Sequence, residues 1–178
     1  MVEAELTPTG NVFVAVVPPP EVVAALSDWL EDLPIPGRRV PPPNFHITLR
    51  FVGKVDPVAY DRLLAALATR RLVDPFRVHL SGLGSFPNPR RATVLWVGVE
   101  AGPGLGHLAE IVEDAAVAAG FEPEERPFAP HLTVSRVRPP ENVTSLQAGE
   151  RSLSFPVEEI HVMAAWGSRY RMYETFSL

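Results

Sequence analysis

Two short stretches of the chain carry residue types that could do chemistry. His46-Ile47-Thr48 and His131-Leu132-Thr133 each set an imidazole two residues before a hydroxyl, with Pro43 and Pro130 close upstream. They lie 85 positions apart in a chain of 178 residues. With five His and eight Thr in that length, His-x-Thr is expected by chance only about 0.2 times, so two copies are informative. Both copies sit on segments that alternate apolar and polar residues, the pattern of a strand. Successive strand side chains point to opposite faces, so each imidazole shares a face with its threonine, about 6.6–6.8 Å further along. If two such strands meet, two imidazoles and two hydroxyls converge on one cavity. That set suits phosphodiester cleavage. A neutral imidazole takes a proton from the attacking oxygen and an opposed imidazolium gives one to the leaving oxygen, each worth roughly 10²–10⁴-fold. Threonine hydroxyls donate to the non-bridging phosphate oxygens, where charge accumulates.

Other chemistries lack their residues. The chain has no cysteine, which removes thiolate metal sites, redox pairs and a Cys nucleophile. No His-Glu-x-x-His occurs and no carboxylate stands at ligand spacing beside His46 or His131, so no metal is expected. There is no Gly-x-Ser-x-Gly elbow, and Gly102, Gly104 and Gly106 complete neither a P-loop nor a dinucleotide fingerprint. His79, His107 and His161 have no threonine partner and read as structural.

The elements that must position these residues can be outlined from pattern. Asn11–Val17 is a valine-rich strand stopped by three prolines, and Glu21–Leu33 an amphipathic helix. Gly37–Asn44, with three consecutive prolines, reads as a loop. In the strand Phe45–Val52, strict alternation puts Phe45, Ile47, Leu49 and Phe51 toward the core, and His46, Thr48 and Arg50 on the other face. Asp56 before Pro57 caps a helix running to about Arg70. Strands follow at Phe76–Leu83 and Thr93–Val99, with Ser85–Arg91 as a turn cluster between them. An Ala-rich helix, Leu105–Ala119, stops at Gly120. The strand His131–Val137 turns Leu132 and Val134 inward and His131, Thr133 and Ser135 outward. Phe155–Trp166 and Tyr170–Leu178 form a closing hairpin. The order β-α-β-α-β-β-α-β-β-β predicts an α+β fold with mainly antiparallel sheets.

Sixteen basic against 21 acidic residues give a net charge of −5, unsuited to non-specific nucleic-acid binding, which relies on neutralising many phosphates. Only Lys54 among the basic residues is lysine, and a few arginines could still clamp one phosphate or a strand end. Arg38–Arg39 and Arg90–Arg91 could line an RNA approach path, or be solvated surface. The glutamates within 122–125 and Glu158–Glu159 read as solubilising faces. No stretch approaches the ~20 apolar residues that span a bilayer, and Met1–Asn11 lacks the basic start of a secretory leader. A cytoplasmic protein without membrane association is expected.

The paired motifs resemble those of the 2H phosphoesterases, and within them the RNA 2′,3′-cyclic phosphodiesterases, also called the LigT or 2′-5′ RNA ligase-like group. The likeness runs from Val12-Phe13-Val14-Ala15-Val16 through Asn44–Gly53, Gly84-Ser85-Phe86-Pro87, Val94–Val99 and Phe128–Arg136 to a late Trp166–Tyr170 hairpin. It implies one domain over residues 1–178, a bilobed pseudo-two-fold α+β fold of two sheets flanked by helices around a central cleft. It implies His46 as proton donor to the departing 3′ oxygen, His131 as the base acting on water, and a 2′-phosphomonoester product. Thr48 and Thr133 would hold the phosphate, with Arg136 a candidate for further charge neutralisation. Strict alternation puts Arg136 on the side opposite His131, so that role needs a bulge. The implied substrate is an RNA end bearing a 2′,3′-cyclic phosphate. No metal, nucleotide cofactor or obligate protein partner is implied, and a monomer is expected. Phe128 and Phe45 are candidates for stacking a base, with core packing as the alternative. The motifs leave open other substrates on the same site: 2′-5′ ends to be cleaved or ligated, a small cyclic nucleotide, or RNA-end binding without turnover.

Overall fold

Val12, Val14 and Val16 are interior residues of a short strand, β1 (Val12–Val16), because valine packs well on a pleated surface with both neighbours paired. In this computed structural model, which describes residues 7–149 and 151–178, β1 lies within a four-stranded antiparallel sheet. Its order is β3 (Ile47–Gly53), β1, β8 (Glu159–Trp166), β9 (Arg169–Ser177). The second sheet is also antiparallel, in the order β2 (Arg38–Arg39), β6 (His131–Glu141), β5 (Ala92–Glu100), β4 (Phe76–Phe86), β7 (Ser152–Val157). The reading of Met1–Asn11 falls partly on residues outside those described.

Three helices cover the sheets. α1 (Pro20–Glu31) buries Val22, Leu26, Trp29 and Leu30 and packs beside β7. α2 (Pro57–Ala68) begins as expected at Asp56, whose carboxylate accepts from the Ala59 N–H at 2.8 Å. α3 (Gly102–Ala118) packs against α2 and β3, and Gly120 follows it at φ 102°, a conformation that favours glycine. One continuous apolar core runs between both sheets and the helices. No helix among the described residues is long and apolar enough to cross a membrane. The α+β expectation with antiparallel sheets holds.

Several boundaries differ from the sequence reading; Ser85 and Phe86, read as turn, are the paired end of β4. Gly37–Asn44 is not entirely loop: Arg38–Arg39 forms a two-residue strand on β6, and Pro42–Asn44 a 3₁₀ turn. Phe155–Trp166 is not one strand. It divides at Glu158, so that β7 pairs with β4 in the second sheet and β8 with β1 in the first. Both halves are apolar and β-rich, and pattern alone carries no sign of the change of sheet.

Candidate active site

The two His-x-Thr strands are built alike in a detail that alternation does not show. In β3, Thr48 pairs with Ala15 and Arg50 with Val14, leaving Leu49 as an extra residue. In β6, Thr133 pairs with Trp96 and Ser135 with Leu95, leaving Val134 extra. Each motif therefore carries a β-bulge three residues after its histidine. A bulge sends two consecutive residues to one face. Leu49 and Arg50 both point inward, as do Val134 and Ser135. Two expectations are corrected as a result. Arg50 is interior while Phe51 is 51% exposed, and Ser135 is buried, its hydroxyl donating to the Pro36 carbonyl at 2.6 Å. The same bulge returns Arg136 to the face of His131 and Thr133, meeting the condition its candidacy required.

His46 stands at the entrance to β3. Its Nδ1–H donates to the Asn44 carbonyl at 2.8 Å, and Nε2 lies 2.9 Å from the Thr48 hydroxyl. Since a carbonyl only accepts, Nδ1 carries the hydrogen, and Nε2 is the nitrogen available for proton transfer. The ring rests against Phe13 (centroids 4.7 Å apart) and Tyr170 (5.3 Å, edge-on). Burial pushes the imidazole below its ordinary pKa of 6.5, only partly opposed by the Asn44 hydrogen bond, and the nearby charges of Arg136 and His131 lower it further. Asn44 was missed by sequence reasoning: its buried side chain donates to the Ser168 carbonyl at 3.1 Å and accepts from Tyr170 N–H at 3.1 Å. It ties the β8–β9 turn to the segment that holds His46. A polar residue closing a proline run was the available sign.

His131 opens β6 in the same manner. Its Nδ1–H donates to the Ala129 carbonyl at 2.7 Å, again leaving Nε2, which has no hydrogen-bond partner among the described residues. Phe86 (5.0 Å, edge-on) and Trp96 (6.4 Å) wall the ring. Trp96 lies so closely over Gly84 that a Cβ there would meet its ring at 2.1 Å, so only glycine fits.

Thr48 and His131, from different sheets, line one cavity of about 760 Å³, together with Phe51, Phe86 and Phe128. β3 and β6 themselves lie close together. Phe128 is 37% exposed and faces this space. Phe45 is only 3% exposed and belongs to the core, so its ring is unavailable to a base. Thr133 is half-buried on the face of His131, and Arg136 is exposed beyond it.

A buried ion pair fixes the loop that leads into β6. Arg50 bonds Glu113 of α3 and the carbonyls of Phe51 and Glu122. The second oxygen of Glu113 accepts from Glu124 N–H at 2.8 Å. The acidic 122–125 stretch is therefore anchored at two points rather than being merely a solubilising face. It precedes Phe128, Ala129 and His131 directly. His161, buried, bonds the Thr175 hydroxyl at 2.9 Å as a structural residue, while His79 and His107 are exposed. Among the described residues no group of three or more His, Cys, Asp or Glu could hold a metal ion.

Comparison with known proteins agrees with this arrangement. Residues 18–167 match the family model of the 2′-5′ RNA ligase superfamily. An RNA 2′,3′-cyclic phosphodiesterase of Aeropyrum pernix is 41% identical over 128 residues, covering 70% of each chain. A protein of the same name from Thermus thermophilus is 33% identical and covers 94% of this chain and 90% of its own. The crystal structure of E. coli LigT with ATP superposes with a TM-score of 0.78 at 27% identity, covering 97% of this chain and 99% of that one. The same protein with 3′-AMP gives 0.76 at 27% identity, covering 95% and 98%.

Proposed function

The chain belongs to the 2′-5′ RNA ligase superfamily, and from that premise we propose that it hydrolyses the 2′,3′-cyclic phosphodiester at RNA ends to a 2′-phosphomonoester by two-histidine acid–base catalysis. The observation that carries the reading is the matched construction of the two imidazoles. Each holds its Nδ1 hydrogen on a carbonyl two residues upstream and so offers Nε2 for proton transfer. The relatives' name, RNA 2′,3′-cyclic phosphodiesterase, favours hydrolysis over ligation or over binding without turnover.

In the reaction, His131 Nε2 takes a proton from water as its oxygen bonds to phosphorus. The P–O3′ bond breaks, and His46 gives its Nε2 proton to the departing 3′ oxygen, leaving a 3′-hydroxyl and a 2′-phosphate. Thr48 and Thr133 donate to the non-bridging oxygens as charge gathers there. The lowered pKa of His46 in the free protein bears on its role as the acid. The bound phosphodiester carries a negative charge, which opposes the effect of burial and favours the imidazolium that serves as the acid.

The test is turnover in EDTA of an oligonucleotide ending in a 2′,3′-cyclic phosphate, with ³¹P NMR identifying the product, beside 2′-5′-linked and 3′,5′-cyclic substrates. A 2′-phosphate end from the first substrate alone is expected. Ligation or 2′-5′ cleavage as the dominant activity, or tight end binding without turnover, would overturn the reading.

A further inference from the structure

The chain holds three tryptophans, placed very differently. Trp29 is 3% exposed and the Trp96 indole nitrogen is buried, whereas Trp166, at the end of β8, is 54% exposed. An exposed tryptophan alone is ordinary surface, but the surroundings of this one are not. The Arg171 guanidinium lies 5.2 Å from its ring centroid and 5.3 Å from that of Tyr173, so one cation bridges two aromatic rings. Arg169, directly opposite Trp166 across the β8–β9 pair, adds a second exposed guanidinium. Among the described residues neither arginine forms an ion pair, so both charges stand uncompensated on a chain of net charge −5. Rings interleaved with cations suit single-stranded nucleic acid, whose bases stack on the rings while the positive groups meet its backbone.

The hairpin that carries this cluster is fixed beside the active site. Gly167, at φ 62°, and Ser168 make its two-residue turn. Asn44 donates to the Ser168 carbonyl and accepts from Tyr170 N–H, both at 3.1 Å, and its own carbonyl holds His46. Tyr170 meets the His46 ring edge-on.

The chemistry then sets where a longer RNA must go. His46 protonates the departing 3′ oxygen, which is borne by C3′. The neighbouring C4′ carries C5′, through which the upstream chain continues. The upstream strand therefore leaves the site beside His46, against Tyr170. Side chains alternate along β9, so Arg169 and Arg171, with Trp166, lie on the face opposite Tyr170. A strand reaches them by passing round the hairpin turn, which takes more than one upstream nucleotide.

We propose that Trp166 and Arg171, backed by Tyr173 and flanked by Arg169, form a sequence-tolerant stacking platform for the single-stranded RNA upstream of the reacting end. This rests on the function proposed above and extends it from the cyclic phosphate to the strand that bears it. Substrates of several nucleotides engage the platform, and a mononucleotide does not.

The experiment titrates the full chain with a tetranucleotide ending in a 2′-phosphate and with the matching mononucleotide 2′-phosphate, following tryptophan fluorescence and affinity. Stacking of a base quenches an indole, and Trp166 is the most exposed of the three. The tetranucleotide is expected to bind more tightly and to quench the acrylamide-accessible emission, and Trp166→Phe to abolish that quenching while retaining affinity. Trp166→Ala should lower the tetranucleotide-to-mononucleotide affinity ratio about tenfold. Arg171→Gln should flatten the salt dependence of tetranucleotide affinity by about 0.7 in log–log slope. An unchanged ratio in Trp166→Ala, with circular dichroism showing a native fold, overturns the platform. So does equal affinity for the two ligands in the unaltered protein, which would leave the patch to a partner other than RNA. These binding measurements decide the platform whether or not turnover occurs, while failure to hydrolyse a cyclic mononucleotide counts against the phosphodiesterase reading instead.

Discussion

Replacing Glu113 by glutamine keeps the size of the side chain but removes one acceptor. The carboxylate uses both oxygens, one for the Arg50 guanidinium and the other for Glu124 N–H. An amide can accept on one side only, and its NH₂ would confront a donor on the other. Breaking a fully buried pair costs ~3–5 kcal/mol. Here Arg50 is 9% exposed but Glu113 27%, and Arg50 keeps its two carbonyl partners, so about 2 kcal/mol is expected, below that range. For a chain of this length that lowers Tm by roughly 4–8 °C. The loop it releases supplies the Ala129 carbonyl that orients His131. A misplacement of 1 Å can cost ~10²-fold in rate, so a partial loosening should lower kcat by about tenfold with little change in KM. Thermal denaturation and steady-state kinetics on a cyclic mononucleotide measure both. An unchanged Tm would refute the ion pair's energetic role. A lowered Tm with unchanged kcat would refute the claim that it positions His131.

Other consequences follow from the same interactions. By NMR the His46 imidazole of the free protein should titrate below 6.5 and move upward when inorganic phosphate is added; a free-state value above 6.5 would contradict its burial. Burial lowers the pKa of both His46 and His161, so the unfolded chain binds protons more readily. Stability should be full above about 6.5 and decline as the pH falls through the folded values, seen as a drop in Tm on acidification. Asn44→Ala strands Tyr170 N–H and the Ser168 carbonyl, costing about 2 kcal/mol and loosening His46; calorimetry and kcat read the two effects. Gly84→Ala drives a methyl into Trp96 and should destabilise by roughly 1–3 kcal/mol in urea denaturation.

The histidines and threonines were legible because their spacing matches the two-residue period of a strand, and the arrangement repeats. What alternation hides is a bulge. One added residue in each strand moved Arg50 inward, exposed Phe51, buried Ser135 and brought Arg136 to the active face, and nothing in the residue types at Leu49 or Val134 announces it. The helix at Asp56–Pro57 was readable because its cap is local chemistry. Asn44, Glu113 and the Arg38–Arg136 pairing were not, since each depends on at least one partner between 63 and 126 positions away. Of the two candidates for stacking, Phe45 follows its alternation into the core while Phe128 stays at the cavity, a difference that residue type alone does not show.

The central claim is that two imidazoles share the proton transfers. Turnover of a 2′,3′-cyclic phosphate by His46→Ala and by His131→Ala, each folded as judged by circular dichroism, tests it most directly. Each substitution should reduce kcat by roughly 10²–10⁴-fold. Retention of near-normal turnover by either variant would contradict the account.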